Sequence, residues 1–231
     1  FVIPKKTGGR ANGKWRFIHH LSWAPPGVGS VNDGCPLKLK IEYENVDDYA
    51  EKITRLQQNG RRVLLWKADL DAAYKQWPFE LSHRHRMGFR WLDIDKPIPP
   101  EVASGKREPR EDELVYYWIE RLPFGWTKSV SHFHRVSRAL KALHLWEGTP
   151  GLATYVPRAA HETSVYVDDC GAVALAEWAE KSKKRYFELC ALLRIPLSAK
   201  KDLLEGAIEA TKEFLGICVD MHTDVCMHMC L

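Results

Sequence analysis

Apolar and polar positions along the 231-residue chain change period several times, and each change marks an element. Phe1-Val2-Ile3 and Lys14-Trp15-Arg16-Phe17-Ile18 are short β-prone runs on either side of a stretch rich in turn formers, Lys5 to Gly13, and predict a hairpin. From Ala24-Pro25-Pro26-Gly27 to about Tyr43 no period holds, which predicts loop. Val46, Tyr49, Ile53 and Leu56 then recur at helical spacing behind Asn45, an N-cap residue, with Gly60 just past the end. Residues 62–68 read as a buried strand ending at Asp69, and 87–92 and 114–119 as two further strands. Pro97-Ile98-Pro99-Pro100 and the polar run 106–112 predict a flexible tip between these last two. Leu122-Pro123-Phe124-Gly125-Trp126 is a turn opening a helix in which Val130, Phe133, Val136 or Ser137, and Leu140 share one face. Residues 145–161 are loop-like. A β-prone run to Tyr166, the pair Asp168-Asp169, then Cys170-Gly171 and an apolar return through Ala172-Val173-Ala174-Leu175 predict a hairpin with acid at its tip. Trp178, Tyr186, Leu189 and Leu193 mark a last amphipathic helix with Lys181, Lys183, Lys184 and Arg185 on its polar side, and 214–219 a strand. There is no internal repeat and no low-complexity segment. The pattern predicts an α+β fold, an antiparallel sheet backed by helices near 46–59, 127–143 and 176–193.

Composition narrows the class. With 45% apolar and 11% aromatic residues the chain can bury a substantial core and does not read as disordered, whether as one large domain or two small ones. The net charge of +4 is unevenly spread: Lys5, Lys6, Arg10, Lys14 and Arg16 precede any acid, whereas Glu42, Glu44, Asp47, Asp48 and Glu51 form an acidic patch. Local basic patches together with nine tryptophans and eight tyrosines permit a nucleic-acid partner without demanding one. No apolar run approaches the roughly 20 residues that span a bilayer, and no signal-like start is present, so no membrane partner is expected. Six cysteines without a CxxC pair predict reduced thiols inside a cell, in cytoplasm or nucleus, rather than secretion. A start at Phe1 and a stop at Leu231 within an alternating segment read as a piece of a longer polyprotein.

The candidate chemistry lies in aspartates. Successive strand side chains point to opposite faces, so Asp168 and Asp169 can approach one site only near a turn, although Asp-Asp turns are also ordinary turn chemistry. Asp69 ends a buried strand at the rim of a sheet, where function collects, although Asp there is also a common N-cap. It lies 99 residues before Asp168, and only a sheet that sets the two strands side by side would join them. Three converging carboxylates make a hard-oxygen site suited to Mg²⁺. The hairpin cations read either as a solvated turn or as a phosphate clamp. Basic positions on the helix after Trp126, namely Lys128, Arg135, Arg138 and Lys141, suit solvent or a nucleic-acid backbone. His222, Cys226, His228 and Cys230 are zinc-ligand types, but alternation spreads the last three along roughly 13 Å of one strand face, and ordinary strand residues are the better reading.

These parts together resemble the reverse transcriptases, in a retrotransposon-like form. Tyr166-Val167-Asp168-Asp169 is similar to the YxDD catalytic box of that family, and Asp69-Leu70-Asp71-Ala72-Ala73-Tyr74 resembles the box of its first aspartate. Leu122-Pro123-Phe124-Gly125 resembles the template and nucleotide turn, Lys200-Lys201 a lysine box, and Phe214-Leu215-Gly216 the start of the primer-grip hairpin. Lys5-Lys6 and Lys14-Trp15-Arg16 look like fingers residues that hold the triphosphate. The boxes occur in family order over nearly the whole chain.

The resemblance implies a polymerase palm with a fingers segment and no thumb, fingers mainly 1–60 and about 80–120, palm mainly 61–79 and 121–231. It implies RNA-directed DNA synthesis with two Mg²⁺ (or Mn²⁺) held by Asp69, Asp168, Asp169 and the Leu70 carbonyl. Lys5 or Lys6 and Arg16 would neutralise the phosphates of the incoming dNTP, Tyr74 would exclude a ribose 2′-hydroxyl, and Phe124 and Gly125 would line the nucleotide pocket. Lys201 is the candidate general acid for pyrophosphate, or a solvated turn lysine. Partners would be an RNA or DNA template with its primer, together with dNTPs. Two departures stand out: Ala72 replaces an acid of many retroviral members, and His19-His20-Leu21-Ser22 replaces an acid-containing segment. Rival readings are a non-catalytic nucleic-acid-binding relic, against which the intact aspartates argue, and an RNA-dependent RNA polymerase, against which Tyr74 argues.

Overall fold

The computed structural model describes residues 2–7, 10–17, 19–24, 26–35, 41–78, 80–93, 95–198, 208–214, 217–220 and 226–229. Along the chain run β1 (Val2–Thr7), β2 (Arg10–Phe17), α1 (Val46–Gln57), β3 (Val63–Asp69), β4 (Gly88–Leu92) and the short α2 (Pro100–Ala103). They are followed by β5 (Leu114–Trp118), α3 (Thr127–Leu145), β6 (His161–Tyr166), β7 (Asp169–Leu175), α4 (Ala179–Leu192), β8 (Thr211–Phe214), β9 (Ile217–Asp220) and β10 (Cys226–Met229). The fold is α+β, with helices and small antiparallel sheets, as the element pattern predicts.

The chain forms two compact units, one of residues 1–36 with 74–126, the other of 37–73 with 127–231. In the first, β1 and β2 pair as the expected hairpin, with a register shift between Pro4 and Lys6 where proline has no N–H to give the ladder. A second antiparallel pair, β4 with β5, sets Phe89 opposite Tyr117, and their rings stack at 5.7 Å.

The second unit is built on a three-stranded sheet in the order β3-β7-β6. Its two faces are covered differently. On one face Val63, Leu65, Val173 and Leu175 pack with Tyr49, Ile53 and Leu56 of α1 into an apolar cluster. Helix α1 forms there because its apolar stripe faces the sheet and because Asn45 and Asp48 exchange side-chain and backbone hydrogen bonds in a capping box. On the opposite face Trp66 meets His144 of α3 and Tyr186 of α4 at ring distances of 5.7 and 5.5 Å. Burying a side chain such as Ile53, Leu65, Phe133 or Leu189 stabilises by about 1.5–3 kcal/mol.

This second layer is more polar than periodicity suggests. Ser129, Ser131, His134, Ser137 and His144 of α3 are buried, so Ser137 rather than Val136 continues the stripe through Phe133 and Leu140. Arg185, placed by sequence on the polar side of its helix, is only 2% exposed. Its guanidinium donates to the carbonyls of His144, Thr154 and Trp146, so it closes the C-terminal end of α3, where helix carbonyls lack partners. The strand expected over 214–219 is two strands: β8 and β9 pair antiparallel, with Phe214 opposite Ile217. β10 follows on β9, so Cys226 and His228 lie in a strand, whereas His222 and Cys230 lie outside the described residues. Glu209, just before β8, exchanges backbone hydrogen bonds with Leu65 at 2.8 and 3.0 Å and ties this sheet to β3.

A candidate metal-binding carboxylate site

Strand register brings the first two acids together. β3 and β7 run antiparallel with Asp69 directly opposite Asp169, and β6 sets Tyr166 opposite Asp169 from the other side. Residues directly opposite share a face of the sheet, with Cβ atoms roughly 4.5–5.5 Å apart. Lys67, two residues before Asp69, lies on the same face, and its ammonium is 3.2 Å from Asp169 Oδ1. The 99-residue gap between Asp69 and Asp168 in sequence is thus closed by the sheet.

Asp168 sits in the two-residue turn between β6 and β7. Its neighbour Val167 has φ of +54°, a left-handed conformation that a β-branched residue adopts only under constraint, at a cost of order 1–3 kcal/mol. The Ser137 hydroxyl, from the buried face of α3, donates to the Val167 carbonyl.

The outer edge of β6, which pairs with no further strand among the described residues, is closed by charge. The Val165 N–H donates to Glu44 Oε2 at 2.8 Å, while Lys52 Nζ donates to the Thr163 carbonyl at 3.2 Å and to Ser164 Oγ at 2.6 Å. Lys52 and Glu44 are ion-paired at 2.6 Å, and Lys141 of α3 also pairs with Glu44. Burial pushes the Glu44 carboxyl up, but hydrogen bonds from Lys141, Lys52 and Val165 outweigh it and hold the group below its ordinary value. Burial lowers the Lys52 ammonium despite its bond to Glu44. Tyr43, beside Glu44, lies 4.9 Å from the Tyr166 ring and 5.1 Å from that of His134. A cavity of about 360 Å³ between this strap and α3 is lined by Tyr43, Glu44, His134, Arg138 and Lys141 among others.

The other sequence-predicted residues fall as follows. Leu70 is buried and bridged to Leu197, and the Asp69 carbonyl accepts from the Ser198 N–H at 2.9 Å, so the end of β3 is held on its outer side. Tyr74 is 8% exposed and meets Phe124 edge-on at 4.9 Å within the first unit. Gly125 has φ of +97°, and a Cβ there would come within 1.9 Å of the His19 carbonyl, so the turn requires glycine. Its carbonyl accepts from Asn32 Nδ2 at 2.9 Å. Lys5 and Lys6 lie on β1, and Arg16 on β2 opposite Ile3. Lys201 lies outside the described residues. Asp69, Leu70, Asp168 and Asp169 therefore belong to the second unit, and Lys5, Lys6, Arg16, Tyr74, Phe124 and Gly125 to the first.

Sequence reasoning missed Lys67, Glu44 and Ser137. Lys67 was legible as the same-face neighbour of Asp69 at i−2, and Ser137 as the helical alternative to Val136, but Glu44 in an acidic run carried no signal of burial.

Among the described residues no group of three or more His, Cys, Asp or Glu side chains is gathered into a ready-made metal cage. The donor chemistry nevertheless fits a hard divalent cation. Asp69 and Asp169 are paired directly opposite each other at the sheet end, Asp168 follows at the turn, and Lys67 already supplies one positive charge to Asp169. The chain matches no family model and no curated protein.

Proposed function

We propose that the chain is the fingers and palm of an RNA-directed DNA polymerase from a retrotransposon-like element, transferring deoxynucleotides to a primer 3′-hydroxyl. The observation that carries this reading is the direct pairing of Asp69 with Asp169, beside a turn that bears Asp168. The ordered motifs from Lys5 to Phe214 support it. In this reading the second unit is the palm and the first the fingers, so α1 belongs with the palm.

Asp69, Asp168, Asp169 and the Leu70 carbonyl would hold two Mg²⁺ or Mn²⁺ ions. When bound, such a pair activates the attacking hydroxyl and stabilises the leaving pyrophosphate. The chain's own residues supply the rest. Lys5 or Lys6 offers a point charge and Arg16 a guanidinium fork to the triphosphate. Tyr74, which meets Phe124 edge-on, would be the bulky ring that a 2′-hydroxyl meets, favouring dNTPs. Phe124 and Gly125, the latter in a turn that requires glycine, would line the nucleotide pocket. Lys201 would pass a proton to the pyrophosphate oxygen. The RNA or DNA template and primer would be held mainly through phosphates, so affinity falls steeply with salt.

The test is primer extension on a primed RNA template with Mg²⁺ and dNTPs, comparing the full-length parent protein with its Asp168→Asn/Asp169→Asn variant. Synthesis is expected in the parent and absent in the variant. No synthesis by either, with salt-sensitive RNA binding in both, would replace the enzyme with a non-catalytic nucleic-acid-binding protein.

A further inference from the structure

The hairpin of Tyr166 to Asp169 is shaped against its own sequence. Two-residue hairpin turns favour Asn-Gly or Asp-Gly because glycine accepts positive φ without strain, yet this turn is Val167-Asp168 with Val167 at +54°. The β6–β7 ladder ends at the Tyr166 and Asp169 pair, so no ladder bond extends to the tip. Two points of attachment to other elements fasten the hairpin from outside.

The first is Glu44. The Thr163 carbonyl and Val165 N–H belong to the outer edge of β6, which pairs with no further strand among the described residues and where such a strand would meet them. Lys52 donates to the one and Glu44 accepts from the other, and the two are bonded to each other at 2.6 Å. An ion pair therefore stands where one residue of a neighbouring strand would. The second is Ser137. Its hydroxyl has the Val167 carbonyl and, at 3.3 Å, the Phe133 carbonyl as acceptors. Ser137 and Lys141 are four residues apart on α3 and so share the helix face that reaches both the turn and Glu44.

We propose that Glu44 and Ser137 are positioning residues, a two-point clamp on the edge strand and the strained turn that sets the Asp168 and Asp169 carboxylates for divalent-cation binding. The clamp rests on the metal-site reading above. Glu44 holds the last β6 residues at a fixed height, and Ser137 holds the left-handed tip. Without either, Val167 relaxes toward negative φ and rotates the Asp168 peptide with it.

The experiment measures Mn²⁺ binding to the full chain by electron paramagnetic resonance, without nucleic acid or nucleotide. Wild-type binding should disappear in Asp168→Asn/Asp169→Asn. Ser137→Ala and Glu44→Ala should weaken it about 10–100-fold, the range found when groups that orient metal ligands are removed. Ser137→Thr keeps the hydroxyl and Glu44→Gln keeps an acceptor for Val165, so both should restore most of the affinity. Ser137→Cys preserves volume but donates weakly, and should fall between serine and alanine even if the alanine variant does not fold. Adding Val167→Gly to Ser137→Ala or Ser137→Cys should recover binding, because glycine needs no support at positive φ. Wild-type affinity in folded Ser137→Cys and Glu44→Ala would overturn the clamp and leave the metal site standing. No Mn²⁺ binding by the wild type would remove the metal-site reading, and the clamp with it.

Discussion

Asp69 and Asp169 lie directly opposite each other across β3 and β7, where like charges destabilise by up to about 1 kcal/mol, and Lys67 pairs with Asp169. Asp69→Asn is therefore expected to raise the melting temperature in chelator-treated buffer and, on the polymerase proposal, to abolish DNA synthesis. Adding Mg²⁺ should stabilise the wild type and leave the variant unchanged. A lower melting point for the variant in the absence of metal would contradict the repulsion argument. At this scale the acids were legible in the sequence, because their chemistry is carried by residue type and by position at strand ends. Their supports were less so: Ser137 was legible only as a position on a helix face and Glu44 not at all, because their partners lie 30 and 121 positions away.

The helices show which local rules held. Asn45 caps α1 as its sequence predicts, since capping involves neighbours only. The end of α4 breaks the usual rule. Arg194 stands there with φ of +55°, where glycine is the ordinary choice, and Ile195 N–H closes the helix by donating to the Cys190 carbonyl at 2.8 Å. Arg194 is exposed, so its side chain is dispensable to the core. Arg194→Gly is expected to stabilise the protein by about 1 kcal/mol, read as a higher midpoint in urea at unchanged slope. Destabilisation would mean that the arginine side chain makes a necessary surface interaction. The buried role of Arg185 was not legible, because the carbonyls it satisfies lie on α3 and in the following loop, and helical periodicity alone assigns it to the polar side.

Across the second unit, the layer between the sheet and helices α3 and α4 holds two fully buried histidines. Burial pushes His144 down to about 4 and His161 to about 3, from an ordinary 6.5. His144 is bonded to Thr163 and the Ser182 carbonyl, and His161 to the Ser182 hydroxyl. Both stay neutral in the folded state while the unfolded chain takes up protons below about pH 6.5. The stability they contribute is complete above that pH and falls as pH drops toward about 4 for His144 and about 3 for His161. The loss is roughly 1.4 kcal/mol per unit and histidine. Urea melts from pH 7 to pH 4 should show this slope, and His161→Phe should flatten it by about one proton. A flat profile in the wild type would show that the pair does not remain neutral. The amino-acid sequence by itself determined the element types, the helix cap and the kinds of chemistry on offer, because periodicity, capping and turn residues act over a few positions. Only the tertiary structure decided that Asp69 lies opposite Asp169, that Val167 is left-handed and that Glu44 closes an edge strand. Strand register and burial are set by segments distant in sequence, and no local pattern encodes them.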